Sequence, residues 1–109
     1  MAQAHKVLGQ VNPSATTATT LYTVPASTQA VASTLTIANL ATTSTTYRVA
    51  VRPAGASLAN QHYVAYDVSL AGGDTALLTL GISLATTDVV TVYAGSANVA
   101  FSLFGVEIS

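Results

Sequence analysis

Large apolar side chains recur in this chain at every second position, and the residues that carry the pattern are β-branched or aromatic, as on a pleated, half-buried surface. Tyr47, Val49 and Val51 share one face of a segment whose other face holds Arg48, Ala50 and Arg52, the cleanest inside/outside alternation in the sequence. Val31, Leu35 and Ile37 fall on one parity around Ser33. His62, Val64, Tyr66, Val68 and Leu70 form another set, opposed by Tyr63, Ala65, Asp67 and Ser69, and the apolar parity is expected to face inward. Further strands are predicted at about residues 20–24, 74–80, 88–94 and 98–108, with 6–11 at the front, for a total of about eight.

Turn-forming residues punctuate these runs at Asn12-Pro13-Ser14, Pro25-Ala26-Ser27, Arg52-Pro53-Ala54-Gly55, Ala71-Gly72-Gly73-Asp74 and Ala94-Gly95-Ser96. The Thr/Ser-rich stretch 41–46 reads as a hairpin loop with its flanks. The spacing predicts an all-β fold, an antiparallel β-sandwich or jelly roll of short strands. The last strand is apolar on both parities, with Phe101 and Leu103 on one and Phe104, Val106 and Ile108 on the other. Such a strand is either central in the sandwich or packed against another subunit. Residues 1–12 contain little to fix them locally and are expected to form an extended arm able to add to a neighbour's sheet edge, with 13–109 as a single β-sandwich domain.

Charge changes the picture most. Only 6% of the 109 residues are charged, namely Lys6, Arg48 and Arg52 against Asp67, Asp74, Asp88 and Glu107, where soluble domains carry about 25%. An exterior of Ala, Thr, Ser, Gln and Asn is poorly defended against association, so much of it is expected to be covered by copies of itself or by a neighbouring subunit. A net charge of −1 with three basic residues offers a phosphate backbone almost no counterion-releasing contacts, which argues against nucleic acid as a partner. No stretch approaches the roughly 18 apolar residues of a membrane helix and no signal-like segment opens the chain, so a protein made in the cytoplasm is expected, with no membrane partner. Absence of cysteine removes disulfides, thiolate metal sites and thiol nucleophiles.

Candidate chemistry is sparse. His62 and Asp67 are five apart and therefore on opposite faces of a regular strand, no Gly-x-Ser-x-Gly elbow occurs, and only two histidines exist to act as a base, so no enzyme is expected. The acids are scattered, which predicts no metal or cofactor; Asp74 and Asp88 open strands, where a carboxylate caps a turn. Gly72-Gly73 lacks the lysine and helix of a phosphate cradle. Arg48 and Arg52 project from one parity with Cα atoms about 13 Å apart, and cross-strand or cross-subunit pairing to Asp67, Asp74 or Glu107 is their simplest role. Tyr63 and Tyr66, on opposite parities, do not make a sugar-stacking platform by themselves. Thr34-Leu35-Thr36 and Thr43-Ser44-Thr45 are out of any fixed period and do not build an ice-binding face.

The segments Leu21-Tyr22-Thr23-Val24-Pro25-Ala26, Tyr47-Arg48-Val49-Ala50-Val51-Arg52-Pro53-Ala54-Gly55 and Asn60-Gln61-His62-Tyr63-Val64-Ala65-Tyr66-Asp67 resemble those of small structural proteins of tailed bacteriophages. The resemblance runs from Leu8-Gly9-Gln10 to Phe104-Gly105. It implies a virion protein present in many copies, a capsid decoration or cement protein acting as a homotrimer on the major capsid protein. Similar Leu-Tyr-Thr-Val-Pro-Ala strands also resemble tail- or fibre-associated domains, the alternative reading. On the first reading the contact residues are expected in the arm, at His5, Lys6, Val7 and Leu8, and on the last strand, at Phe101, Phe104, Val106 and Ile108, with Arg48 and Arg52 as polar contacts.

Overall fold

The period-two runs become eight strands in the computed structural model, which describes residues 3–109; Met1 and Ala2 of the expected arm lie outside the described residues. The strands are β1 (Gln3–Val11), β2 (Thr19–Thr23), β3 (Gln29–Asn39), β4 (Thr45–Arg52), β5 (Tyr63–Leu70), β6 (Thr75–Leu84), β7 (Val89–Ala94) and β8 (Val99–Ile108). Short 3-10 turns at Pro53–Gly55 and Asn60–His62 lie between β4 and β5. Two four-stranded antiparallel sheets result, in the orders β1-β8-β3-β6 and β2-β7-β4-β5. The protein is an all-β sandwich. Its pairings of β1 with β8, β2 with β7, β3 with β6 and β4 with β5 are those of one long hairpin folded over on itself.

The core lies between the sheets. Leu35, Ile37, Val99, Phe101 and Leu103 come from the first sheet, and Tyr47, Val49, Val90 and Val92 from the second; all are essentially inaccessible to solvent. Asn39, the most deeply buried polar side chain among the described residues, is satisfied: its Nδ2 donates to the carbonyls of Thr43 (2.9 Å), Leu70 (3.3 Å) and Ala71 (3.3 Å), while its Oδ1 accepts from the Ala41 N–H at 3.1 Å. One amide thus ties the β3–β4 loop to the β5–β6 turn, which is why a buried Asn is tolerated. Asp88 acts as a cap, accepting from Ala85 and from Ala54 at 2.9 Å each, and Asp74 accepts from the Thr75 N–H at 2.9 Å.

In the first sheet strict alternation fails along one line. Leu8 of β1 and Ser33 of β3 are each an extra residue against β8, at the step flanking Phe104, and Leu80-Gly81 of β6 face Ser33 from the far side. Bulges of this kind bend the strand and reverse the inside/outside sense of the residues beyond them. Gly81 supplies a positive φ of 59° there, and the Ser33 hydroxyl donates to the Phe104 carbonyl at 3.1 Å. Two sequence expectations change as a result. Val31 does not share a face with Leu35 and Ile37: Ala30 and Ala32 point inward before the bulge and Leu35 and Ile37 after it, leaving Val31 outside. Leu8, expected as a partner contact, turns into the core of its own chain.

β8 runs between β1 and β3 without a bulge, so its two apolar parities have separate destinations. Phe101 and Leu103 are in the core, and Phe104, Val106 and Ile108 lie half-buried on the outer surface of the first sheet. Phe101, also expected to contact a partner, is therefore core material. Alanine substitution should separate the faces: Phe101→Ala is expected to cost about 3–5 kcal/mol, Phe104→Ala under about 1 kcal/mol, as read from urea unfolding midpoints. Equal losses would mean that the facing of β8 is wrong.

Candidate functional site

Two surfaces stand out, one on each sheet. On the first, the registers place Phe104 between Val7 of β1 and Thr34 of β3, and Val106 between His5 and Val31. Val7 is 46% exposed, and Val31, Phe104, Val106 and Ile108 are half-buried. These residues form a contiguous apolar strip with no charged side chain within it. The front half of β1, Gln3–Val7, is exposed throughout and held mainly by its ladder to β8. The segment expected as an arm is here the edge strand of its own sheet.

That strand is fastened to β8 by an ion pair, and the acid of the pair is held in turn from β2 by a hydrogen bond, neither disclosed by the spacing of the sequence. Lys6 Nζ lies 2.8 Å from Glu107 Oε1, and the Tyr22 hydroxyl, reaching over from the opposite sheet, donates to Glu107 Oε2 at 2.6 Å. The two donors, Lys6 first, hold the Glu107 carboxyl below its ordinary 4.5, whereas burial and the neighbouring carboxylate push the Tyr22 phenol up. Lys6, expected at a partner contact, thus has its partner within the chain.

On the second sheet the site centres on Arg48. Its register partner on β7 is Tyr93, and two residues of β5, Tyr66 and Asp67, oppose it on the other side because β5 is bulged there. Asp67 has φ 49°, a left-handed conformation that aspartate tolerates better than most residues. Arg48 Nε donates to Asp67 Oδ1 at 2.6 Å and Nη2 to Oδ2 at 3.3 Å. The guanidinium carbon lies 4.2 Å from the Tyr66 ring centroid and 4.3 Å from that of Tyr93, so the cation sits against two π faces. The Asp67 hydrogen bond strengthens the hold of Arg48 on its proton and, reciprocally, keeps the Asp67 carboxyl below its ordinary value. The sequence expectation that Arg48 pairs with an acid across strands is realised at Asp67.

A second bulge, at Val64, restores the sense of the strand once more: Val49 faces Ala65, but Ala50 faces Tyr63. Tyr63 and Tyr66, placed on opposite faces by counting, stand together with ring centroids 4.9 Å apart and planes at 83°. With Asn60 they line an open cleft of about 350 Å³. The expected inward parity of β5 is corrected as well, since Val64 is 53% and Tyr66 56% exposed, and only Leu70 of that set is buried.

Arg52 and His62 have local roles. Arg52 Nε donates to Thr91 Oγ1 at 3.0 Å and Nη1 to the Ala56 carbonyl at 3.1 Å, which fixes the loop after β4 instead of meeting a carboxylate. His62 precedes β5, in the 3-10 turn, and its Nδ1 accepts the Ala59 N–H at 3.0 Å.

No family model, curated protein or solved structure matches the chain. The functional reading therefore rests on these surfaces.

The Glu107 linkage predicts a pH dependence. A carboxyl depressed in the folded state contributes stability that is present above its unfolded pKa and is lost as pH falls through the folded value. Urea midpoints should therefore fall on acidification from pH 5 to 3, and Glu107→Gln should remove part of that slope while lowering the plateau near neutrality. An unaltered slope in the variant would show that Glu107 is not held as described.

Proposed function

We propose that this is a virion structural protein of a tailed phage, a capsid decoration protein that binds the assembled shell in many copies and works mechanically. The observation that carries the reading is the uncharged apolar strip of Val7, Val31, Phe104 and Val106 on a chain with 6% charged residues. The strand order supports it: we take the folded-over long hairpin as a jelly roll, an architecture that viral capsid domains use. The resemblance of the Leu21–Ala26, Tyr47–Gly55 and Asn60–Asp67 segments to small phage structural proteins points the same way.

Edges add a route to self-association, for which a homotrimer is the expected form. β1 carries Lys6 and β5 carries Asp67 with its bulge, both devices that discourage further pairing. The first six residues of β6, Thr75–Leu80, are an edge with neither charge nor proline, and Leu77 on it is 66% exposed. A protein that binds only the assembled lattice, whether to the major capsid protein or to its own copies, lowers the free energy of that state by linkage. No catalytic step and no cofactor is assigned.

A second reading, a tail- or fibre-associated module that binds the host surface through loops such as that of residues 54–60, is favoured by one observation: Asn60 borders the open tyrosine cleft. Copy number on purified particles separates the two, being high for a shell protein and low for a tail part. For the first reading, purified protein should co-sediment with assembled shells, and Val106→Lys, on the outer strip, should reduce that binding at least tenfold with an unchanged far-ultraviolet circular dichroism spectrum. Undiminished binding by Val106→Lys would remove the strip from the interface, and absence of the protein from shells would remove the reading.

A further inference from the structure

We propose that the Asn60, Tyr63 and Tyr66 cleft is a binding site for a neutral saccharide ring, a function separate from assembly and independent of where in a particle the protein sits.

The first argument is the bulge at Val64. A regular β5 would send Tyr63 and Tyr66 to opposite sides of the sheet; the extra residue brings both to the outer face, edge to face at 4.9 Å. The electron-rich face of a tyrosine attracts the weakly positive C–H groups on one side of a pyranose, so a pair of crossed rings offers a floor and a wall to a sugar.

The second argument is rigidity. Tyr66 is backed by the Arg48 guanidinium, which is itself held by two hydrogen bonds to Asp67 and by the Tyr93 ring beyond it. An aromatic surface locked before the ligand arrives loses little side-chain entropy on binding, which a small, shallow contact needs. Nothing in the core of the sandwich requires this cluster, because it lies on the outer face of the second sheet and Tyr66 is 56% exposed.

The third argument concerns charge. The cleft of about 350 Å³ is lined by Asn60, Tyr63 and Tyr66, and its size is at the small end of ligand sites, about 300–1,000 Å³. The Asn60 amide offers two donors and an acceptor, and each phenol offers one donor and an acceptor, a set matched to sugar hydroxyls. Arg48 and Asp67 are nearby but already neutralise each other, so neither an anion nor a cation finds an unpaired counter-charge. A proline-rich peptide would call for a longer aromatic groove than two rings supply.

The test is a titration of the intact chain followed through its tyrosine ring signals by nuclear magnetic resonance. The probes are methyl β-glucopyranoside, methyl β-galactopyranoside, N-acetylglucosamine and a linear glucan oligomer, each taken to about 20 mM, above the roughly millimolar Kd of so small a contact. A proline-rich decapeptide serves as the alternative ligand. At least one sugar should shift the Tyr63 and Tyr66 signals saturably while those of Tyr22 and Tyr47, which are buried, stay fixed. Tyr66→Ala should weaken that binding at least tenfold. Asn60→Ala, which leaves the aromatic cluster and Arg48 undisturbed, should weaken it several-fold and guards against a misfolded tyrosine variant. The proposal is overturned if no sugar moves these signals, if Asn60→Ala binds as tightly as the parent, or if the peptide alone moves them. Shell binding by the same variants should be unchanged, so the failure of one assignment is distinguishable from the failure of the other.

Discussion

The pairing of β8 between β1 and β3 is the constraint on which the first sheet depends. The last strand of the chain lies beside the first and the third, matched from Gln29 to Asn39 on one side and from Gln3 to Val11 on the other. It brings Val99, Phe101 and Leu103 to the centre of the core. Gly105 permits the closeness of that fit, since a Cβ there would collide with the Val31 carbonyl. Contacts of such large sequence separation form only after most of the chain has been gathered, which makes folding slow relative to proteins built from local contacts.

The same arrangement decides what is left for a partner. With β8 central, its second apolar parity has no strand layer over it and becomes the outer strip, joined by Val7 and Val31 from the flanking strands. Every basic side chain is meanwhile engaged inside the chain: Lys6 with Glu107, Arg48 with Asp67 and two tyrosines, Arg52 with Thr91 and loop carbonyls. Little charge remains to steer encounters over distance. A partner on this surface would have to be held by short-range apolar burial and backbone pairing, since the charges that could steer it are already paired.

Bulges are the second organising device: besides one at Leu21 of β2, they act in two places. The line through Leu8, Ser33 and Gly81 bends the first sheet and reassigns Leu8 to the core and Val31 to the outside. The pair in β5, at Val64 and at Tyr66-Asp67, gathers residues that a regular strand would divide, and so makes the Arg48 cluster and the tyrosine cleft together. A positive φ at Asp67 stores a small strain where the surface is most chemically featured, in keeping with the way irregular backbone concentrates at sites that do something.

Period-two alternation, turn residues and the scarcity of charge were enough, read from the sequence, to establish an all-β sandwich of about eight strands, the inward face of β4, the capping role of Asp88 and an acid as the partner of Arg48. These properties are local, or derive from composition, so they are written along the chain. The position of β8 between β1 and β3, the engagement of Lys6 by Glu107 and Tyr22, and the meeting of Tyr63 with Tyr66 were decided only in three dimensions. The physical reason is common to the last of these and to Leu8 and Val31: one inserted residue reverses every later side chain, and whether an insertion is absorbed as a bulge depends on the neighbouring strand, which the sequence of a single strand does not contain.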